Sequence, residues 1–348
     1  MPLLTRQSDI GWIGLDLGAR AVKLAQVVRS GNGYRLAAAR VIARQTSESE
    51  DDDGLWWATL LGKPSRSGFE GRSAACVLSA AATDLRGLNL PDADESERRA
   101  MVAGELENWF ADGDSRVFDF WQTRSDEAQS NLENIAVLSL AEDTAMAVAE
   151  SVDFAGFRCQ AIDGLPTAMA RAVDMVNPGG LSVPVAAVDW GFQTATFTVV
   201  HQGRAVFTRQ LRDCQFGRLP SATSQMLGLS VEDSERLLNL HGVADPSRRD
   251  EAAGEVQEVL GDVLSEPMAA MVAELDRTLA YPELHRSQLA PQALWLFGGG
   301  ATVRNIAPYL ESRIGVPVHV WRLPGQGNPS VAPLLGPAAA VSTLAWMQ

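Results

Sequence analysis

Ile13-Gly14-Leu15-Asp16-Leu17-Gly18, Val188-Asp189-Trp190-Gly191 and Leu296-Phe297-Gly298-Gly299-Gly300 are three glycine turns, each closing an apolar run. In the first two, an aspartate ends the run and glycine turns the chain into a second apolar segment. The third opens a helical pattern. A strand–glycine–strand hairpin can aim backbone N–H groups at a phosphate, and glycine lets the chain come close. An aspartate at a strand end can hold a magnesium-bound water, because magnesium keeps much of its hydration shell. A glycine cluster at a helix start admits an adenosine or its phosphates to the helix N-terminus. One such turn alone reads as an ordinary hairpin. The ordered set outlines a nucleotide cleft between two related lobes. Its candidate binding residues are Asp16, Gly18, Ala19, Arg20 and Lys23 from the first turn, then Asp189, Gly191, Gln193 and Thr194, then Gly298, Gly299 and Gly300. Asp16 and Asp189 are the candidates for magnesium through water, and Asp189 is the one catalytic candidate if there is catalysis.

Composition bounds the rest. At 348 residues the chain exceeds one typical core, so two lobes are the expectation. Its net charge of −14 argues against nucleic-acid binding, which needs a basic face. Lys23 and Lys63 are the only lysines, which draws attention to Lys23 beside the first turn. Cys76, Cys159 and Cys214 are odd in number and widely spaced, against a disulfide framework or a thiolate zinc site. His201, His241, His285 and His319 are equally scattered. Met1 to Asp9 lacks a basic region followed by an apolar core, and no apolar run is long enough for a bilayer. Val331 to Met347 comes closest and reads as a buried helix. The expectation is a cytoplasmic protein.

Along the chain, Gly11 to Leu17, Val22 to Arg29 and Tyr34 to Ala43 read as a three-stranded meander. Thr46 to Asp53 and Gly62 to Arg72 read as loops. Ser73 to Ser79, Leu85 to Leu90, a helix over Ser96 to Phe110, Val117 to Thr123, Asn134 to Leu140 and a helix over Ala141 to Phe154 read as an inserted α+β subdomain. Arg158 to Ile162 returns as a strand and Pro166 to Val176 as a helix. After the linker Asn177-Pro178-Gly179-Gly180 the meander recurs as Val185 to Asp189, Thr194 to His201 and Arg204 to Leu211. Ser221 to Ala280 is helical, strongest over Leu227 to Leu240 and Val256 to Leu279. Ala293 to Phe297 is a buried strand, Val303 to Ile314 a helix, and Val318 to Trp321 a short edge strand.

IGLDLGARAVKLAQV, VAAVDWGFQTATFTVVHQGRAVFTRQL and LWLFGGGATVRNIAPYLESRIGVPVHVW resemble the actin-like ATPase (ribonuclease H-like) superfamily. Among its members the resemblance is strongest to the PilM-like proteins of type IV pilus assembly. FGRLPSATSQMLGLSVEDSERLL adds a likeness to their second lobe, so the similarity runs nearly the full length. It implies an α/β, two-lobed actin-like fold with an inserted small α+β subdomain of the kind PilM shares in position with FtsA. The expected boundaries are 1–72 and 155–180 for the first-lobe core, 73–154 for the insertion and 181–348 for the second lobe, with a helical part over about 218–290. It also implies a scaffold at the cytoplasmic face of the inner membrane, binding the cytoplasmic tail of a PilN-like membrane protein in a groove beside the insertion. Other pilus platform proteins and a homo-oligomer are further implied partners, and ATP with magnesium the implied cofactor. Leu88, Leu90 and Trp109 of the insertion read more readily as core than as groove residues.

The departures bear on mechanism. PilM-like first hairpins read Asp-x-Gly-Ser-Ser-x-x-x-Lys. Here Asp16-Leu17-Gly18-Ala19-Arg20-Ala21-Val22-Lys23 loses both hydroxyls and keeps the lysine. Arg20 can meet a phosphate, block the cleft or point to solvent. Trp190 and Phe192 flank Gly191, where small residues are expected. The family's acidic residue falls at Leu165, with Asp163 nearby, and its adenine-facing lysine, after Glu235, at Leu238. Without these groups hydrolysis loses its base and nucleotide affinity loses a cation. The expectation is a scaffold with a degenerate cleft, with catalysis absent or vestigial and nucleotide binding weak or lost. Competing readings are a cytoplasmic scaffold like GspL of type II secretion, which would continue into a transmembrane helix, and a small-molecule kinase of the same superfamily. An FtsA-like role wants a basic amphipathic C-terminal helix, and Ala332 to Gln348 carries no lysine or arginine.

Overall fold

Largely apolar runs of three to eleven residues, punctuated by glycine, make the strands here, and each lobe builds its sheet from them to one plan. A computed structural model describes residues 9–31, 33–44, 67–110, 114–123, 134–246, 254–285, 289–324 and 331–347. The first lobe opens with β1 (Ile13–Leu17), β2 (Ala21–Ser30), β3 (Gly33–Ala43) and β4 (Ser73–Leu78). Then come β5 (Asp84–Leu88), α1 (Glu95–Trp109), β6 (Arg116–Gln122), β7 (Ile135–Ala141), α2 (Glu142–Phe154), β8 (Arg158–Gly164) and α3 (Leu165–Met175). The second lobe has β9 (Val185–Trp190), β10 (Ala195–His201) and β11 (Arg204–Leu211), then α4 (Arg218–Leu227), α5 (Val231–Leu240) and α6 (Glu255–His285). It closes with β12 (Leu294–Phe297), a 3-10 turn at Gly299–Thr302, α7 (Ile306–Ile314), β13 (Val318–Val320) and α8 (Gly336–Ser342).

The first sheet has the order β3-β2-β1-β4-β8 and the second β11-β10-β9-β12-β13. In each, a three-stranded antiparallel meander continues into two parallel strands. The recurrence legible in the sequence is therefore a recurrence of topology. It places Asp16 opposite Lys23, and Asp189 at the equivalent position opposite Thr196.

The helices do not stay with the lobe that precedes them. α3 leaves the first sheet and packs on β10 and β11 of the second, while α8 returns to cover β1, β2 and β4. Ala168, Ala172 and Val173 of α3 meet Ala338 to Val341 of α8 in one buried cluster with Val185, Ala187, Phe297 and Trp321. Small side chains on both helices let them approach closely between the sheets. Gly14 needs its missing Cβ for the same reason, since a methyl there would strike the Ala338 carbonyl. Ser342 pins the helix end by donating to the Trp12 carbonyl at 2.5 Å and accepting from Val27 N at 3.1 Å.

The expected boundaries need three corrections. Ser73–Leu78 belongs to the first sheet, between β1 and β8, and not to the insertion. Val148 and Val152 of α2 pack beneath that sheet with Ile13, Leu15, Val22 and Leu24, so α2 is also a first-lobe element. The small antiparallel sheet β5-β7-β6 and α1 make up the rest of the insertion, cored by Val102, Leu106, Ile135 and Val137. Residues 336–347 of the expected second lobe lie on the first sheet, through α8. The expected helix over Leu227 to Leu240 is two helices, because Gly228 adopts φ 68° and Ser230 caps α5 by accepting from Asp233 N. The loop expected over Thr46 to Asp53 lies outside the described residues, as do 62–66 of the loop at Gly62 to Arg72. No helix among the described residues is long and apolar enough to cross a membrane.

Candidate nucleotide cleft and insertion groove

The strand ends of the two sheets bring Asp16, Lys23, Asp189 and Gly298 together between the lobes. Lys23 faces Asp16 across the β1–β2 ladder, and its Nζ lies 3.2 Å from Asp16 Oδ2. Both side chains are largely buried, at 17% and 13% exposed. Asp189 has Thr196 as its cross-strand partner where Asp16 has a lysine, and among the described residues the buried Thr196 hydroxyl has no hydrogen-bond partner. Burial and the nearby charge of Asp16 push the Asp189 carboxyl up to about 7, against the opposing pull of Lys23.

The aromatic residues beside the second turn divide their roles. Trp190 is fully buried, and its Nε1 donates to the Cys214 carbonyl at 2.6 Å. Phe192 faces the cleft and packs edge-on against Phe216. Arg20 lies over the Phe192 ring, with its guanidinium carbon 4.2 Å from the centroid. Its Nη2 donates to Glu232 Oε1 at 3.3 Å, and its Nη1 lies 3.6 Å from Glu235 Oε1. Of the three fates open to Arg20, the structure shows a span across the cleft, from the first-lobe hairpin to α5. Burial raises the Glu235 carboxyl, and Arg20 offsets this.

The third turn uses its glycines for the chain's own packing. A methyl on Gly298 would sit 2.7 Å from Asp189 Oδ1, and one on Gly299 2.7 Å from the Phe216 ring. One on Gly300 would enter the Trp190 ring. Gly298 also has φ 78°, which disfavours any side chain. Gly191 is held by its own hairpin, where a methyl would sit 2.8 Å from the Thr194 carbonyl oxygen. Gly18 is crowded by Lys23, Ala19 is half-buried, and Gln193 is exposed at the hairpin tip. Leu165 and Leu238 are buried in core clusters. Asp163 accepts from Gly164 N, Thr167 and Arg171, the last at 2.5 Å. It therefore anchors the start of α3.

Lys23 is thus paired with Asp16, the Asp189 carboxyl is raised by burial, and Arg20 crosses the opening. Among the described residues no three metal-ligating side chains gather.

Over 98% of its length the chain matches 99% of a chain in the PilM–PilN type IV pilus biogenesis complex, with TM-score 0.76 and 20% identity. It also matches the ethanolamine utilization protein EutJ from Carboxydothermus hydrogenoformans over 96% of this chain and 90% of that one, with TM-score 0.53 and 16% identity. The fold is that of the actin-like ATPases. No protein-family model and no curated protein sequence matches the chain.

Within this actin-like fold the insertion opens a second concave site. A groove of about 470 Å³ runs between β6 and β7 on one side and α2 and β8 on the other. Val117, Leu138, Met146 and Ile162 give it an apolar lining, and Asp119 and Glu142 are acidic residues of the same lining. Val117 and Met146 are exposed, at 43% and 52%. β6 and β8 are edge strands of their sheets, so backbone groups border the groove as well. Leu88, Leu90 and Trp109 pack on the insertion's own core. The groove residues carried no distinctive sequence signal, because α2 and β8 meet β6 and β7 only through tertiary folding. The partners of Arg20 were equally hidden, lying 212 residues away for Glu232.

Proposed function

We propose that the protein is a type IV pilus assembly scaffold that binds the cytoplasmic tail of a PilN-like inner-membrane protein in the insertion groove. The observation that carries this reading is the groove itself, an apolar trough bordered by two edge strands. Its lining suits an apolar segment laid in extended form, with main-chain hydrogen bonds to an edge strand and side chains in the trough. Asp119 and Glu142 suit a segment flanked by basic residues, which cytoplasmic tails of membrane proteins carry in excess. The likeness to a chain of the PilM–PilN complex supports the same partner class. On this reading the protein sits at the inner face of the membrane through its partner, beside other platform proteins.

Calorimetry with a peptide of the N-terminal cytoplasmic segment of the PilN-like protein encoded nearby tests it. The expected result is binding that Met146→Glu weakens at least about tenfold, or about 1.4 kcal/mol. The half-exposed position of Met146 lets that variant fold. No binding by the folded wild type overturns the reading, and undiminished binding by Met146→Glu moves the peptide out of the groove.

The cleft belongs to the same reading as a structural joint rather than an ATPase centre. The Arg20 span favours this, because it links the lobes through the chain's own side chains. Phosphate release from ATP above that of an Asp189→Ala control would overturn it.

A further inference from the structure

A cavity of about 740 Å³ opens on the second lobe, between the end of edge strand β11 and the middle of α6. Its walls carry Arg209, Gln210, Arg212 and Asp213 from the strand side, and Glu274 and Arg277 from the helix. Three arginines thus stand against two carboxylates in a protein whose net charge is −14. The local sign is opposite to that of the molecule.

Glu274 organises the site. Its side chain is only 3% exposed, and an ionised carboxylate so deeply placed requires a cation and hydrogen bonds. Arg209 Nη2 donates to Glu274 Oε1 at 3.0 Å from across the cavity, and Arg277 Nη2 donates to Oε2 from one turn along the helix. One guanidinium would neutralise the carboxylate. The second, together with Arg212, outweighs the remaining carboxylate, Asp213, by one positive charge. A guanidinium carries five N–H donors in a planar fork, and each of these two gives one to Glu274. Both side chains line the cavity and remain accessible, at 35% and 67%. The buried carboxylate therefore holds two arginine heads in place, at the wall of a hollow large enough for a small ligand. Such pre-positioned forks match the oxygens of a phosphate bidentately.

We propose that this cavity binds a phosphate group, carried either by a soluble phosphorylated molecule or by the headgroup of an anionic phospholipid. Arg277 and Arg212 supply the main contacts, Arg209 completes the wall, and Glu274 is a positioning residue that fixes Arg209 and Arg277.

Full-length protein is titrated with inorganic pyrophosphate by calorimetry, and separately floated with vesicles of phosphatidylcholine alone or mixed with phosphatidylglycerol. The variants are Arg212→Gln with Arg277→Gln, which leaves the Arg209–Glu274 pair intact, and Gln210→Glu, which adds a negative charge to the wall without touching Glu274. Pyrophosphate binding that both variants weaken at least tenfold, without flotation, identifies a soluble ligand. Flotation with the anionic vesicles alone, lost in both variants, identifies the lipid headgroup. Binding of neither probe, or binding that the variants leave unchanged, overturns the proposal. Gln210→Glu keeps the test open should the double arginine variant fail to fold.

Discussion

Arg20 lies with Ala19 in the bend between β1 and β2, and that bend aims it across the cleft at Phe192, Glu232 and Glu235. These groups are partly exposed, between 29% and 44%, so their ion pairs are weak one at a time. Stacking on Phe192 adds roughly 0.5–1 kcal/mol. Arg20→Ala is expected to lower stability by about 1 kcal/mol and to speed hydrogen exchange in the hairpin. The same loss should shrink in high salt, where the ion pairs are screened. Exchange rates identical to wild type at low salt would contradict the span. Asp189 poses a different test. Its carboxyl ionises near 3.8 when unfolded and near 7 in the fold, so between those values the folded state holds the extra proton. Stability therefore falls as pH rises from about 4 to about 7 and levels off above. Asp189→Asn stays neutral and lacks that decline. At pH 8 it should exceed wild type by on the order of 2 kcal/mol, about half the full conversion of the shift, because the carboxylate keeps some contact with water. Thermal midpoints at pH 5 and pH 8 for both proteins read this, and parallel pH profiles would refute it.

At the scale of elements, what was legible in the sequence depended on whether the deciding interaction is local. The meanders of both lobes are written in alternating or continuous apolar runs closed by glycine, and β9 and β10 are buried nearly throughout. Ser73–Leu78 is apolar from Ala74 onward, which suits a central strand of either sheet, and only its pairing with β1 and β8 assigns it. The break between α4 and α5 was present as Gly228 and Ser230, but the apolar period continues across it and masked the turn. In the cleft, the pairing of Asp16 with Lys23 follows from a hairpin that sets them only seven positions apart, whereas the partners of Arg20 and the filling of Gly300 by Trp190 do not. α6 offers a clean local test. Gly261 lies exposed within this 31-residue helix, with nothing near the position a Cβ would take. Gly261→Ala should raise stability by about 0.5–1 kcal/mol, chiefly by restricting the unfolded chain. A denaturation midpoint that does not rise would mean that the helix is strained there.

The whole molecule is two copies of one sheet plan locked by exchanged helices, since α3 packs on the sheet that follows it and α8 on the sheet that begins the chain. Each lobe's inner face is therefore completed by a helix from elsewhere, and Phe297, Trp321 and Ala338 to Val341 share a single buried cluster. The lobes should consequently lose stability together even when only one is damaged. Gly14→Ala puts this to the test, because its methyl would collide with the Ala338 carbonyl and push α8 off β1. Overpacking against backbone is expected to remove about 3 kcal/mol. The loss should not stay in the first lobe, because displacing α8 uncovers α3, Phe297 and Trp321 on the side of the second. Hydrogen exchange of the β9 and β12 amides should accelerate by nearly the same factor as that of the β1 and β2 amides. Denaturation followed by tryptophan fluorescence and by far-ultraviolet dichroism should trace one transition. If β9 and β12 keep wild-type protection while β1 and β2 lose theirs, the exchanged helices do not couple the lobes.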